Sequence, residues 1–143
     1  MAQSLKPEII AVLDAGQDLT LATVRPDGWP QATTVSYVSD GLAIFVGVSA
    51  QGQKAQNLAH DDRVSLTVDL PYRSWDEIRG VSLSGHALRL SDPAELGRVG
   101  ALFMKKFPQI TGYLELPHGE LAIFRIEPEF ISLLDYRKGF GHM

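Results

Sequence analysis

The sequence predicts a mainly β fold, an antiparallel barrel with short helices attached. Three observations predict it: six or so strand-like segments, turns between the first three of them too short for any crossover, and helical stretches that interrupt only some of the later joins. A parallel α/β sheet would need a helix between most strands. The length of 143 residues is about one domain's worth, so the chain 1–143 is read as one domain with one core.

Pro7 suits a first helical turn, and Ile9, Ile10, Val12 and Leu13 gather on one side of that helix before Gly16 stops it. Leu19, Leu21 and Thr23 then alternate with Thr20, Ala22 and Val24, and Pro26-Asp27-Gly28 reverses the chain. The second strand runs from Pro30 to Ser39, with β-branched and aromatic character from Thr33, Thr34, Val35, Tyr37 and Val38. Asp40-Gly41 closes a tight hairpin, and Leu42 to Val48 is a nearly unbroken apolar run, which implies burial on both faces. Between Ser49 and Asp62 the pattern becomes that of a short helix, with Ala55, Leu58 and Ala59 on one face and Lys54 and Asn57 beside them. Arg63 to Asp69 returns to strand, Leu70 to Ile78 reads as a loop, and Arg79 to Leu90 is a long strand in which Gly85 marks a bulge or bend. Ser91 is the expected N-cap of an amphipathic helix carrying Ala94, Leu96, Val99, Leu102 and Phe103, which Pro108 ends. An irregular stretch to Gly119 precedes two expected strands, Leu121 to Ile126 and Phe130 to Tyr136, and a glycine-containing tail from Arg137 to Met143.

Composition narrows the function. Apolar residues at 45% and charged residues at 21% are those of an ordinary globular chain, and no apolar run approaches a membrane span. The stretch from Met1 to Leu13 lacks the layout of a signal peptide, so the cytoplasm is the expected compartment. A chain without cysteine has no disulfide, thiolate metal site or thiol nucleophile, and any redox chemistry must come from a cofactor. A net charge of −4 argues against nonspecific nucleic-acid binding. No dinucleotide or Walker glycine motif is present, nor a serine nucleophile elbow. His60, His86, His118 and His142 are scattered without metal-ligand spacing, so no metal site is expected. The carboxylate pairs Asp61-Asp62 and Asp76-Glu77 point apart and are read as solvated, and no catalytic acid or base stands out. Tyr72, Arg73 and Trp75 share a loop, where interface packing is the expected role.

The most informative stretch is the passage from the third strand into the following helix, Ile44 to Leu58. A helix N-terminus offers open N–H groups and positive dipole, Ser49 adds a hydroxyl, Gly52 allows close approach and Lys54 supplies a full charge, a set that suits a phosphate. On residue types alone the same stretch also reads as a plain N-cap followed by a solvated lysine.

Order and spacing along the chain resemble the FMN-binding split barrels related to pyridoxamine 5′-phosphate oxidase. The resemblance rests on Leu21-Ala22-Thr23-Val24 with Asp27-Gly28 and Pro30, on Thr33-Thr34-Val35-Ser36-Tyr37, and on Gly52-Gln53-Lys54-Ala55-Gln56-Asn57-Leu58 leading to Asp62-Arg63-Val64. Arg79-Gly80-Val81, Ser84-Gly85-His86-Ala87 and the closing Leu134 to His142 extend it over nearly the whole chain. It implies a six-stranded antiparallel split β-barrel, a homodimer with FMN at the interface, and a flavin-dependent oxidoreductase acting on a small molecule. Lys54 matches the family lysine that reaches the flavin phosphate, and Gln53 stands where the oxidases proper carry arginine. The strand Thr33, Thr34, Val35 and Ser36 matches the one that runs along the isoalloxazine ring, and Gly47, Val48 and Ser49 match the strand end beside the ribityl phosphate. Lys138 and His142 in the tail are candidates for a neighbouring subunit's flavin, or for a frayed chain end. The basic set that holds the vitamin phosphate in the oxidases proper has no counterpart here. Deazaflavin F420 or haem in the same fold, a non-enzymatic flavin module and a purely structural dimer are the alternatives.

Overall fold

The computed structural model describes residues 5–110 and 121–143; of the irregular stretch expected between Pro108 and Gly119, residues 111–119, with His118, lie outside them. The elements are helix α1 (Lys6–Ala15), strands β1 (Asp18–Val24), β2 (Pro30–Asp40) and β3 (Ala43–Ser49), helix α2 (Gln53–His60), strands β4 (Arg63–Asp69) and β5 (Arg79–Arg89), helix α3 (Pro93–Lys106) and strand β6 (Leu121–Asp135). Short 3₁₀ turns lie at Trp75–Glu77 and Tyr136–Lys138. The six strands close a barrel in the order β1-β2-β3-β6-β5-β4, every neighbouring pair antiparallel.

Turn chemistry sets the first half. Gly28 takes φ +89° and donates to the Arg25 carbonyl at 2.8 Å, and Asp27 accepts from the Trp29 amide and the Arg25 guanidinium, so β1 returns as β2. Leu19 and Leu21 of β1, Ile44, Val46 and Val48 of β3, and Val64, Leu66 and Val68 of β4 fill the barrel, while α1 and α2 plug it with Val12, Leu13 and Leu58. Helix α3 lies outside and packs Val99, Phe103 and Phe107 on Val38 and Phe45. That helix explains the apolar run of β3, which is covered on both faces; each buried side chain of this size contributes roughly 1.5–3 kcal/mol. Helix α3 starts one residue later than expected, because Asp92 and not Ser91 accepts from the Glu95 amide, at 3.2 Å.

The two strands expected at the end of the chain are one. Pro128 argues for a break, but it sits opposite Gly85 at an irregularity in the β5–β6 register, where Ser84 faces Phe130 and Gly85 faces Pro128. A bulge tolerates the missing proline N–H, so the strand continues through it. Gly85 is required there: a Cβ would collide with the Glu127 carbonyl. The residue squeezed out, Glu129, reaches His86 Nε2 at 3.0 Å.

Candidate functional site

The barrel wall parts on one side. Strand β2 meets β3 only through Tyr37–Asp40 opposite Ala43–Val46, after which β2 stays on β1 from Pro30 to Ser36 while β3 stays on β6 through Gly47–Ser49. Among the described residues, alternate backbone N–H and C=O groups along both diverging edges are therefore left without a strand partner. The residues that flank this slot are those picked out from the sequence: Thr33, Thr34, Val35 and Ser36 on β2, and Gly47, Val48 and Ser49 on β3.

Side chains alternate along these edges. Thr34 and Ser36 are exposed on the outer face, and Ser36 donates to Asp18 at 3.0 Å. Thr33 and Val35 turn inward, and Thr33 Oγ1 is buried with no hydrogen-bond partner among the described residues. An orphan of that kind costs about 1–3 kcal/mol unless something supplies a partner. Val48 points into the barrel core, so only its backbone faces the slot. Gly47 lies under Ile123 and Leu121, where a Cβ would be tight at 3.3–3.4 Å.

At the mouth of the slot Ser49 ends β3 and its carbonyl accepts from the Gly52 amide at 3.0 Å. The N-cap of α2 is Gly52, not Ser49, and no side chain caps the first turn. Its leading N–H groups are thus open, with no acidic residue among them. Lys54 is half-buried and has no ion-pair or hydrogen-bond partner among the described residues. It stands three and four residues before the buried Asn57 and Leu58, on the barrel side of the helix. Gln53 donates inward, to Asn57 Oδ1 at 2.8 Å.

The tail candidates lie elsewhere in the chain's own fold. Ser49 pairs with Leu121 at the start of β6, and the tail follows Asp135 at the other end of that strand. Lys138 pairs with Glu8 of α1 at 3.1 Å, and the exposed His142 gives its carbonyl to the Asp135 amide. Arg137 binds both carboxylate oxygens of Asp135, and those hydrogen bonds hold the Asp135 carboxyl down to about 2. Trp75 packs on Phe140 and Phe140 on Tyr136, with the Trp75 and Phe140 rings 65% and 77% exposed. Lys54 and the tail can share one ligand only if the tail comes from a second chain.

Several of the other titratable groups are engaged in structure. Asp61 and Asp62 are not merely solvated. Arg63 holds Asp61 at about 2 through side-chain hydrogen bonds, and His86 Nδ1 meets Asp62 at 2.7 Å. The Asp62 hydrogen bond, with Glu129 on the other ring nitrogen, raises the His86 pKa against a partly opposing desolvation. Asp76 accepts from the Ser74 hydroxyl and Glu77 from the Arg73 amide. Among the described residues no group of histidines and carboxylates is placed to hold a metal ion, and no helix is long and apolar enough to cross a membrane. A cavity of about 550 Å³ opens on the other flank of α2, over Ala55, Leu58, Ala87 and Phe124, with His60, Asp62 and Arg89 at its rim. It includes none of the residues around the slot.

A family model described as pyridoxamine 5′-phosphate oxidase matches residues 5–135. The chain belongs to this family. It is 26% identical to general stress protein 26 of Bacillus subtilis over 133 residues, 93% of this chain and 90% of that protein. Among solved structures it resembles the conserved hypothetical protein Rv2991 of Mycobacterium tuberculosis, with TM-score 0.81, 32% identity and coverage of 96% of this chain and 89% of the other. It also resembles HutZ, the haem storage protein of Vibrio cholerae, with TM-score 0.74, 25% identity and coverage of 92% and 94%. The fold of the family is the split barrel described above, and the slot between β2 and β3 is the split.

Sequence reasoning missed two features here. One is Asn57, whose side chain is fully buried; an asparagine inside an otherwise apolar helix face is the signal that could have found it. The other is the orphaned hydroxyl of Thr33, which sequence pattern alone does not distinguish from other strand threonines.

Proposed function

We propose that this protein is a homodimeric flavoprotein that binds FMN in the split and serves as a flavin-dependent oxidoreductase on a small-molecule substrate. The observation that carries the reading is the parting of β2 from β3 near a lysine that has no partner among the described residues. The phosphate fits the open first turn of α2 with Lys54, a charge-assisted contact worth about 1.5–3 kcal/mol. A flat ring with a hydrogen-bonding edge fits the backbone groups of β2, and Thr33 Oγ1 is a buried polar atom without a partner among the described residues. When bound, FMN supplies the hydride-accepting chemistry; the chain supplies position, charge and exclusion of water. Absence of cysteine fits a reducing compartment such as the cytoplasm.

A split between two strand edges, with Thr34 and Ser36 exposed beside it, favours a second copy of the chain as its cover. The outer face of the barrel suits that contact. Thr34, Thr20, Thr67, Ser82 and Ser132 lie side by side across five strands, all exposed and uncharged, with Phe130 exposed in the next row. Small side chains allow a twin face to approach closely, as a self-complementary interface requires.

The test is a visible spectrum of the purified protein, followed by titration of colourless protein with FMN, F420 and haem separately. FMN bound at micromolar affinity or better, and weakened about ten- to a hundredfold by Lys54→Ala, is the expected result. Preference for haem or F420 over FMN overturns the cofactor assignment. Sedimentation of a monomer, unchanged by added FMN, overturns the dimer.

A further inference from the structure

Beneath the open turn of α2 lies a polar network that the proposed function leaves unused. Asn57 is fully buried, its amide nitrogen donates to Thr23 Oγ1 and to Gln31 Oε1, both at 2.9 Å, and its Oδ1 accepts from Gln53 Nε2 at 2.8 Å. Thr23 and Gln31 face each other across the β1–β2 hairpin, and Gln31 precedes Thr33 by two residues on the same inward side of β2. A buried carboxamide with three bonds in three directions admits one placement of its helix, because any rotation strands a donor or an acceptor away from water. Lys54 shares the barrel-facing side of α2 with Asn57.

We propose that Asn57 is a positioning residue for the anion corner. It acts through α2, fixing the first turn with its N–H groups and Lys54 in register with the β2 edge, and Gln53 serves this network and not the phosphate. The inference rests on the phosphate reading given above.

FMN and riboflavin differ only in the phosphate, so the riboflavin dissociation constant divided by that of FMN reports the phosphate contact alone. That ratio is measured by flavin fluorescence quenching on cofactor-free parent, Asn57→Ala, Gln31→Leu, Gln53→Ala and Lys54→Ala proteins, with urea midpoints alongside. Asn57→Ala is expected to lower the ratio about tenfold, and Gln31→Leu and Gln53→Ala about threefold each, while the riboflavin constant stays put. A merely structural network would move the midpoints and leave the ratio alone. A ratio that collapses in Lys54→Ala but holds in all network variants overturns the positioning role and leaves the phosphate reading standing. A ratio unmoved by Lys54→Ala removes both. Should Asn57→Ala fail to fold, Gln31→Leu and Gln53→Ala, which each delete one bond, decide the matter.

Discussion

The two sides of the barrel wall are built differently. On the closed side β5 and β6 pair without interruption of the sheet from Arg79 opposite Asp135 to Arg89 opposite Phe124, absorbing a proline at a bulge, whereas β2 and β3 share a short ladder and then separate. The closed side has its backbone groups bonded to one another. Among the described residues the split side holds open strand edges, an orphaned hydroxyl and an unpaired lysine. Stability and binding therefore reside in different parts of this chain: perturbing the first side should unfold it, and perturbing the second should leave it folded but empty.

Gly85→Ala should show the largest effect. A Cβ there meets the Glu127 carbonyl, and the register must shift to relieve it, at a cost of about 3 kcal/mol by urea denaturation. The FMN affinity of the folded fraction should be that of the parent. Loss of FMN binding without loss of stability would erase the distinction between the two sides. Lys54→Ala should do the opposite, weakening FMN while moving the unfolding free energy by less than about 0.5 kcal/mol. Thr33→Val sharpens the comparison further. It replaces an unpartnered buried hydroxyl by a group of the same shape, so cofactor-free protein should be unchanged or up to about 1 kcal/mol more stable, with FMN binding weakened about fivefold. A cofactor-free protein destabilised by that change would mean that the hydroxyl is already satisfied within the chain.

The smallest effect belongs to His86, next to the bulge. Hydrogen bonds from Asp62 and Glu129 raise the His86 pKa in the folded protein above its ordinary value of 6.5. The stabilisation is therefore fully present below the unfolded pKa and is lost as pH rises through the folded one. His86→Gln should flatten that part of the stability profile. A parent and variant with parallel profiles above pH 6.5 would show the pairing to be without consequence.

Much of the fold and of the site is legible in the residues alone. Pro26-Asp27-Gly28, the apolar run of β3, the glycine of the bulge and the passage from Ser49 to Lys54 are local signals, set by φ preference, side-chain period and helix-end chemistry over a few residues. Where the pattern misleads, the cause lies in a contact or a backbone angle that residue type does not carry. Pro128 reads as a strand break because its tolerance depends on Gly85 across the ladder. Ser91 and Ser49 read as N-caps because capping turns on the φ and ψ of one residue, and Asp92 and Gly52 adopt them.

By itself the sequence determined the first five strands, their hairpins and the family, since these follow from short-range geometry and ordered motifs. Only the tertiary structure decided where β2 leaves β3, that Asn57 ties α2 to the β1–β2 hairpin, and that the tail follows the end of β6 remote from Ser49. The reason is physical. A strand edge is open or closed, and a buried amide satisfied or orphaned, according to what the closed barrel brings beside it, and no residue carries that information within its own neighbourhood.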